Sequence, residues 1–182
     1  MSNIQKNSRR VRIFLQFLFV IIPVSVIYYW FTVDTAYDFI SSSGIFELSL
    51  DMNNLTQQPL STSTRLFAGA ASLLVSAITL YGLTVLIHLF RNYEKSEIFS
   101  QDNARCYQKL GYCLFYWVFG SMIYGGLLSV ILSFNNPPGE RIFMLGFAGM
   151  DLLTIILGFI VVIISWVMKE GHKIADENSR TI

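Results

Sequence analysis

Charged residues are scarce in this chain of 182 residues, since Lys, Arg, Asp and Glu make up 14% of it against 53% hydrophobic residues. A soluble domain usually carries about 25% charged residues, and the mean hydropathy of +0.52 also points away from one. The formal net charge is only +1, so bulk charge gives no reason to expect direct nucleic-acid binding. The composition therefore predicts a protein whose main partner is the lipid bilayer.

Cysteine is almost absent, and the two that occur, Cys106 and Cys113, fall within one predicted helix. Their spacing of seven residues separates the Cα atoms by about 10 Å at the rise of an α-helix, whereas bridged cysteines lie within about 7 Å. No C-x-x-C motif or Cys/His cluster occurs. We therefore expect neither a disulfide nor a metal site, and interpret both cysteines as buried core residues.

Motifs of catalysis are also missing. Only His88 and His172 occur, whereas a membrane haem site needs paired histidines within the helices. The sequence contains no glycine-rich phosphate loop and no nucleophile elbow. We therefore predict that the protein is not an enzyme and needs no cofactor.

Long uncharged runs are what the sequence has instead. About 20 apolar residues cross a bilayer, and four runs meet this length: residues 13–33, 66–90, 110–134 and 142–168. The first run is too long for a signal peptide and lacks a cleavage site of small residues, so we expect an uncleaved span. The predicted fold is an all-α membrane protein, a single four-transmembrane-helix bundle over residues 1–182.

Three polar segments complete this layout: an outer loop at 34–65, a hinge at 91–109 and a tail at 169–182. Within the loop, residues 46–52 alternate between apolar and polar, which indicates a short β-strand or hairpin. The turn Asn135-Asn136-Pro137-Pro138-Gly139 makes the last two spans antiparallel neighbours.

Basic residues lie mainly on one side of the predicted spans. Arg65 and Arg141 are the only ones in the outer loops, against eleven in the N-terminal tail, the hinge and the C-terminal tail. These eleven are Lys6, Arg9, Arg10, Arg12, Arg91, Lys95, Arg105, Lys109, Lys169, Lys173 and Arg180. The positive-inside rule then predicts that both termini and the hinge face the cytoplasm.

Small residues recur at helical spacing in two spans, and close packing of small residues holds helices together in lipid. One row, on the third span, consists of Ser121, Gly125, Ser129 and Ser133. The other, on the second span, consists of Ala68, Ser72 and Ser76. We predict that these two rows face each other.

Two ionisable residues fall inside the predicted spans. Asp151 would lie about 12 Å from the outer end of the fourth span, where a carboxylate is costly and is by default a functional candidate. It would serve either as a carrier site for protons or ions, or as a hydrogen-bonded acid that fixes helix packing. His88 would lie at the cytoplasmic edge of the second span, within reach of water.

The hinge should contain a helix stop at Arg91-Asn92 and a new helix after Ser100, a favourable N-cap residue. Asp102 would then lie in the first turn, where its charge suits the positive end of the helix. Phe99, just before the cap, would either pack on that first turn as a hydrophobic staple or contact a partner.

The hinge and tail carry a resemblance to a known family. Ile98-Phe99 followed by Asn103 and Lys109-Leu110-Gly111, with the tail pattern Gly171-x-x-Ile174-x-x-Glu177-x-x-x-Thr181-Ile182, resembles a bacterial domain of unknown function, DUF2975. The family's layout covers nearly the whole chain, but this sequence has Ser96-Glu97 where a glycine is expected. The resemblance implies a small four-span protein of the inner membrane. It also implies a neighbouring gene for a small helix-turn-helix regulator.

We therefore expect an integral protein of the bacterial plasma membrane that serves as a non-enzymatic partner or tether of such a regulator. Its contact residues would be Phe99, Asn103, Arg105, Lys109, Lys173 and Glu177. The basic residues among them could equally be topology signals and contacts to anionic lipid. The alternative function is a small oligomeric transport subunit centred on Asp151, and a homo-oligomer is compatible with either hypothesis.

Overall fold

The structure, a computed structural model, describes residues 3–42, 55–56, 59–147 and 149–180. Four long helices dominate it: α1 (Asn3–Thr32), α3 (Thr62–Glu94), α4 (Gln101–Ser133) and α5 (Gly149–Arg180), with a short α2 (Phe39–Ser42) between the first two. No strand occurs in the described ranges, and the strand predicted at 46–52 lies outside them. Each long helix is long and apolar enough to cross a membrane, so the all-α membrane class is confirmed.

The helices are longer than the predicted spans. Helices of 30–33 residues measure about 45–50 Å, whereas the hydrocarbon core is about 30 Å thick. The predicted helix stop at Arg91-Asn92 is wrong, because α3 continues to Glu94. The predicted start after Ser100 is confirmed, since the Asn103 amide donates to Ser100 Oγ at 3.2 Å.

The helix of the fourth predicted span begins at Gly149, whereas the predicted run begins at residue 142. Residues 142–147 are apolar but not helical. Their backbone is satisfied from α4: the amides of Ile142 and Met144 donate to Ser133 Oγ and Ser129 Oγ, each at 3.0 Å. These amides already have acceptors, so they need no helical hydrogen bonds. A prediction from hydropathy alone does not detect this, and it begins the helix too early.

One compact unit, here the hinge unit, comprises Met1–Val20, Ile78–Val118 and Ala148–Ile182. Val85, Leu89 and Cys106 form its buried cluster. Within it α4 and α5 approach closely, because a Cβ on Gly111 would lie 3.0 Å from the Gly158 carbonyl oxygen.

The second unit, here the loop unit, comprises Ile21–Ala77 and Phe119–Phe147. Its core gathers residues from α1, α3 and α4, among them Trp30, Ala68 and Leu128. The indole nitrogen of Trp30 donates to Ser72 Oγ at 2.8 Å. Arg65 caps the end of α1, donating from Nη1 to the Val33 carbonyl at 2.6 Å.

Three serines of the two predicted rows of small residues form hydrogen bonds to partners outside the rows. Ser129 and Ser133 are fully buried, but they bond the extended segment before α5. A Cβ on Gly125 would meet nothing within 4 Å. Ser72 contacts α4 through the hydroxyl of Tyr124, at 2.8 Å. The helices α3 and α4 therefore meet in the loop unit through a large polar side chain and a hydrophobic core, and packing of the two rows against each other stays a prediction.

Apolar side chains cover much of the outside of these helices. Only 6% of the most apolar window of α1 and 17% of that of α5 is buried. Exposing so much apolar surface to water would be unfavourable, whereas lipid solvates it. The chain is thus built as a multi-pass membrane protein.

Candidate functional site: the hinge between α3 and α4

The hinge is a short turn closed by backbone hydrogen bonds. The amide of Glu97 donates to the Asn92 carbonyl at 3.1 Å, and that of Ser96 to the Tyr93 carbonyl at 3.1 Å. This pair of bonds is the Schellman motif, which requires a left-handed residue just past the helix end. Ser96 occupies that position with φ +64°. A serine therefore takes the conformation for which glycine was expected.

Asn103 fixes the turn from inside. It is fully buried, and its side-chain nitrogen donates to the carbonyls of Glu97 at 2.5 Å and Ile98 at 2.9 Å. Its side-chain oxygen accepts from Asn92 Nδ2 at 2.8 Å. Asn103 was predicted to contact a partner, but it is inaccessible, because its polar atoms satisfy carbonyls that the turn leaves without helical partners.

Helix α1 is tied to the same region. Arg12 forms a two-pronged ion pair with Glu94, from Nε at 2.6 Å and from Nη2 at 3.1 Å. The hydrogen bond that Arg12 donates to Glu94 raises the pKa of Arg12. Gln5 Nε2 donates to Ser96 Oγ at 3.1 Å. Bidentate pairs of this type orient both side chains, so the N-terminal part of α1 holds the hinge turn.

A second polar cluster lies beside the turn and is partly exposed. His88 Nε2 lies 2.7 Å from Asp102 Oδ2, which also accepts from Asn92 Nδ2 at 2.7 Å. The Sγ atom of Cys106 belongs to the same group: one atom each of His88, Asp102 and Cys106 lies within 4.8 Å of the other two. The two helices of the hairpin thus bring together three residues capable of binding a metal.

The environment of the hinge changes the ionisation of these groups. Hydrogen bonds from His88 and then from Asn92 lower the pKa of Asp102. Burial, followed by the charge of Asp102, raises the pKa of the Cys106 thiol. Burial and a 2.7 Å bond to Tyr107 raise the pKa of Tyr93. Asp102, Cys106 and Tyr93 all lie in residues 91–109, outside the predicted spans.

The other residues predicted to bind a partner are exposed. Phe99 keeps 69% of its surface accessible at the hinge tip, so a hydrophobic staple does not account for it. Arg105 and Lys109 are exposed on α4, and Lys173 and Glu177 on α5. Ser165 Oγ donates to the Ala104 carbonyl at 2.9 Å, which joins α5 to α4 beside the hinge.

Of the two predicted intramembrane ionisable residues, Asp151 lies differently from expectation and His88 does not. Asp151 falls in the first turn of α5, because that helix begins at Gly149. It is not eight residues deep in the span, and a carboxylate at this place is favoured by the positive end of the helix. His88 does reach the surface, as predicted, with 52% of its side chain exposed.

The cluster of His88, Asp102 and Cys106 was missed from the sequence. Its one available signal was the spacing of Asp102 and Cys106, which places them on the same face of α4. Predicting that His88 lies beside them required the exact length of the turn. One more residue in the turn would rotate the side chains of α3 and α4 that face each other out of contact.

Comparison with known proteins agrees with this layout. The family model described as "Protein of unknown function (DUF2975)" matches residues 17–182, a range that includes the hinge and all of α3, α4 and α5. No curated protein and no solved structure matches the chain. The chain belongs to the DUF2975 family of proteins of unknown function.

Proposed function

We propose that the protein is a non-enzymatic integral protein of the bacterial plasma membrane whose hinge docks a small soluble helix-turn-helix regulator. The observation that carries the proposal is Phe99, a large aromatic side chain that is 69% exposed on a turn held by the Schellman bonds and by Asn103. Aromatic side chains are frequent anchors of protein interfaces. A rigid turn also loses little conformational entropy on binding.

The charges around this anchor favour a partner with an acidic face. Arg105 and Lys109 are exposed on the first turns of α4, and such charges steer association and set specificity. A DNA-binding regulator would present a face opposite its DNA-binding surface. Bound in this way, it would be held at the membrane and away from its operators.

The test is photo-crosslinking in native membranes from a photo-reactive phenylalanine analogue placed at position 99. We expect capture of one small DNA-binding protein. In a variant that combines Arg105→Glu and Lys109→Glu, capture should fall at least tenfold while membrane insertion is unchanged, because the reversed charges repel the acidic face.

Two controls match this experiment. The same analogue at Phe134, which is 60% exposed in the loop unit, should not capture the regulator. Arg9→Glu combined with Arg10→Glu makes the same charge change at two other exposed basic residues and should leave capture intact. Capture of lipid alone, or of the protein itself, would overturn the proposal.

The transport hypothesis has less support. It relied on a carboxylate deep within the fourth span, whereas Asp151 belongs to the first turn of α5. An Asp at a helix N-terminus has a sufficient structural role there. If Asp151→Asn nevertheless abolished a proton- or ion-coupled flux in reconstituted vesicles, transport would replace docking as the proposed function.

A further inference from the structure

The hinge hairpin places three side chains with metal-binding atoms on one small patch. Asp102 and Cys106 stand one turn apart on α4, and His88 reaches them from the last turns of α3. The chain has only two histidines and two cysteines, and one of each meets here. This arrangement is independent of any partner of the hinge.

We propose that His88, Asp102 and Cys106 form a binding site for a single divalent transition metal ion of the zinc type. An imidazole nitrogen, a carboxylate oxygen and a thiolate sulfur are all established zinc ligands. Three protein ligands leave one position of a tetrahedral ion to water or to an external ligand.

The distances fit this assignment. The three ligand atoms lie within 4.8 Å of one another, and His88 Nε2 and Asp102 Oδ2 are 2.7 Å apart. Bond lengths of about 2.0–2.3 Å place neighbouring ligand atoms of tetrahedral zinc about 3.3–3.8 Å apart. Small side-chain rotations would therefore open the His88–Asp102 contact and bring Cys106 Sγ to bonding distance.

The surroundings of the patch suit an ion that enters from outside. The side chains of His88 and Asp102 are 52% and 54% exposed, whereas Cys106 is 4% exposed and forms the floor of the site. Asn92 donates to Asp102 Oδ2 and, through its bond to Asn103, is itself fixed by the turn. Hydrogen bonds of this type hold a ligand in orientation and increase metal affinity.

The proton balance of binding is simple. Cys106 loses its thiol proton to solvent when Sγ bonds the ion. His88 Nε2 likewise gives up to solvent the proton that it donates to Asp102, and the neutral ring that coordinates through Nε2 carries its proton on Nδ1. The soft sulfur ligand favours Zn²⁺ or Co²⁺ over Mg²⁺ and Ca²⁺, which prefer sets of oxygen ligands.

The experiment uses the full-length protein purified in detergent under reducing conditions, with an affinity tag that contains no histidine. Co²⁺ is titrated as the probe, because a thiolate ligand gives a charge-transfer absorption in the near ultraviolet. We expect saturation at one Co²⁺ per chain, and loss of the absorption when Zn²⁺ is added. Mg²⁺ in the same concentration range should not displace the cobalt.

The chain supplies matched controls for two of the three ligands. Cys106→Ser should abolish the charge-transfer band, and His88→Ala should weaken binding by more than about tenfold. Cys113→Ser and His172→Ala remove the other cysteine and the other histidine and should change neither. Helicity by circular dichroism verifies that each variant is folded.

The variant Asp102→Asn distinguishes a specific loss of metal binding from a general loss of hinge structure. It keeps the shape of the side chain and an oxygen acceptor for Asn92 but removes the charge, so binding should weaken while helicity and detergent behaviour stay the same. Absence of stoichiometric Co²⁺ binding would overturn the proposal. Binding that survives in Cys106→Ser and His88→Ala would do the same.

Discussion

At the scale of single residues, Ser96 adopts a backbone conformation that costs energy. A residue with a Cβ atom in the left-handed region is less stable than glycine there, by about 1–2 kcal/mol, and Ser96 has φ +64°. Its side chain accepts an exposed bond from Gln5 at 3.1 Å, which compensates only in part. The hinge therefore keeps its turn in spite of this residue, through the Schellman bonds and Asn103.

We accordingly predict that Ser96→Gly stabilises the protein by about 0.5–1 kcal/mol, because relief of the strain at positive φ outweighs the lost bond and the freer unfolded chain. The measurement is the free energy of unfolding from SDS titration in mixed micelles. Ser100→Gly is the control: this N-cap residue has no positive φ, and its hydroxyl accepts the Asn103 amide. It should lower stability by a few tenths of a kcal/mol. A Ser96→Gly variant less stable than the native chain would contradict the account.

The individual roles of polar residues were the least predictable part of the site. Asn103 looked like a surface residue because a polar side chain near a helix start is usually exposed, yet it is fully buried. Its burial depends on Asn92 across the turn and on two carbonyls five and six residues earlier. These hydrogen bonds form only in the folded turn, so the sequence around Asn92 or Asn103 alone does not indicate them.

At the scale of helices, the contact of α4 with α5 depends on glycine. A Cβ on Gly111 would lie 2.5 Å from Val162 Cγ2 and 3.2 Å from the Val162 backbone nitrogen, and one on Gly158 would lie 2.9 Å from Phe115. The Val162 side chain can rotate away, but the backbone of α5 can yield only by moving the helix. Close approach of two backbones in lipid gains packing energy that larger residues prevent.

The resulting prediction is that Gly111→Ala destabilises the protein by about 1–3 kcal/mol, the usual cost of overpacking. Thermal unfolding in detergent, followed by circular dichroism, measures the effect. Gly125→Ala makes the same change in the same helix at a position where a Cβ meets nothing within 4 Å. Its unfolding temperature should equal or exceed that of the native chain, because alanine favours a helix more than glycine does. Equal effects of the two substitutions would show that helix propensity, and not the contact with α5, sets the response.

The sequence predicted the helices better than their contacts. Apolar runs of sufficient length identify spans because the bilayer imposes the length, and all four predicted runs correspond to a long helix, the fourth with a later start. The small-residue motif singled out Gly125, whereas Gly111 makes the close approach. Small residues are frequent in membrane helices, so their spacing shows which face could pack closely but not which one does.

At the scale of the whole molecule, the orientation in the membrane is predicted from the distribution of basic residues alone. Eleven Lys and Arg residues flank the spans on the side of the hinge and both termini, against Arg65 and Arg141 on the other. Arg65 also has a structural role in the loop unit, as the cap of α1. The docking proposal needs the hinge in the cytoplasm, where a soluble regulator would be present.

We predict that both termini and the hinge face the cytoplasm, since basic segments are retained on that side. Green fluorescent protein fused after residue 182 should fluoresce, because it folds in the cytoplasm, and alkaline phosphatase fused there should be inactive. Alkaline phosphatase fused within the outer loop, at residue 53, should be active, because it needs the oxidising side to form its disulfides. The reverse pattern, with active phosphatase at the C-terminus, would place the hinge outside the cell, and a cytoplasmic regulator could not then be its partner.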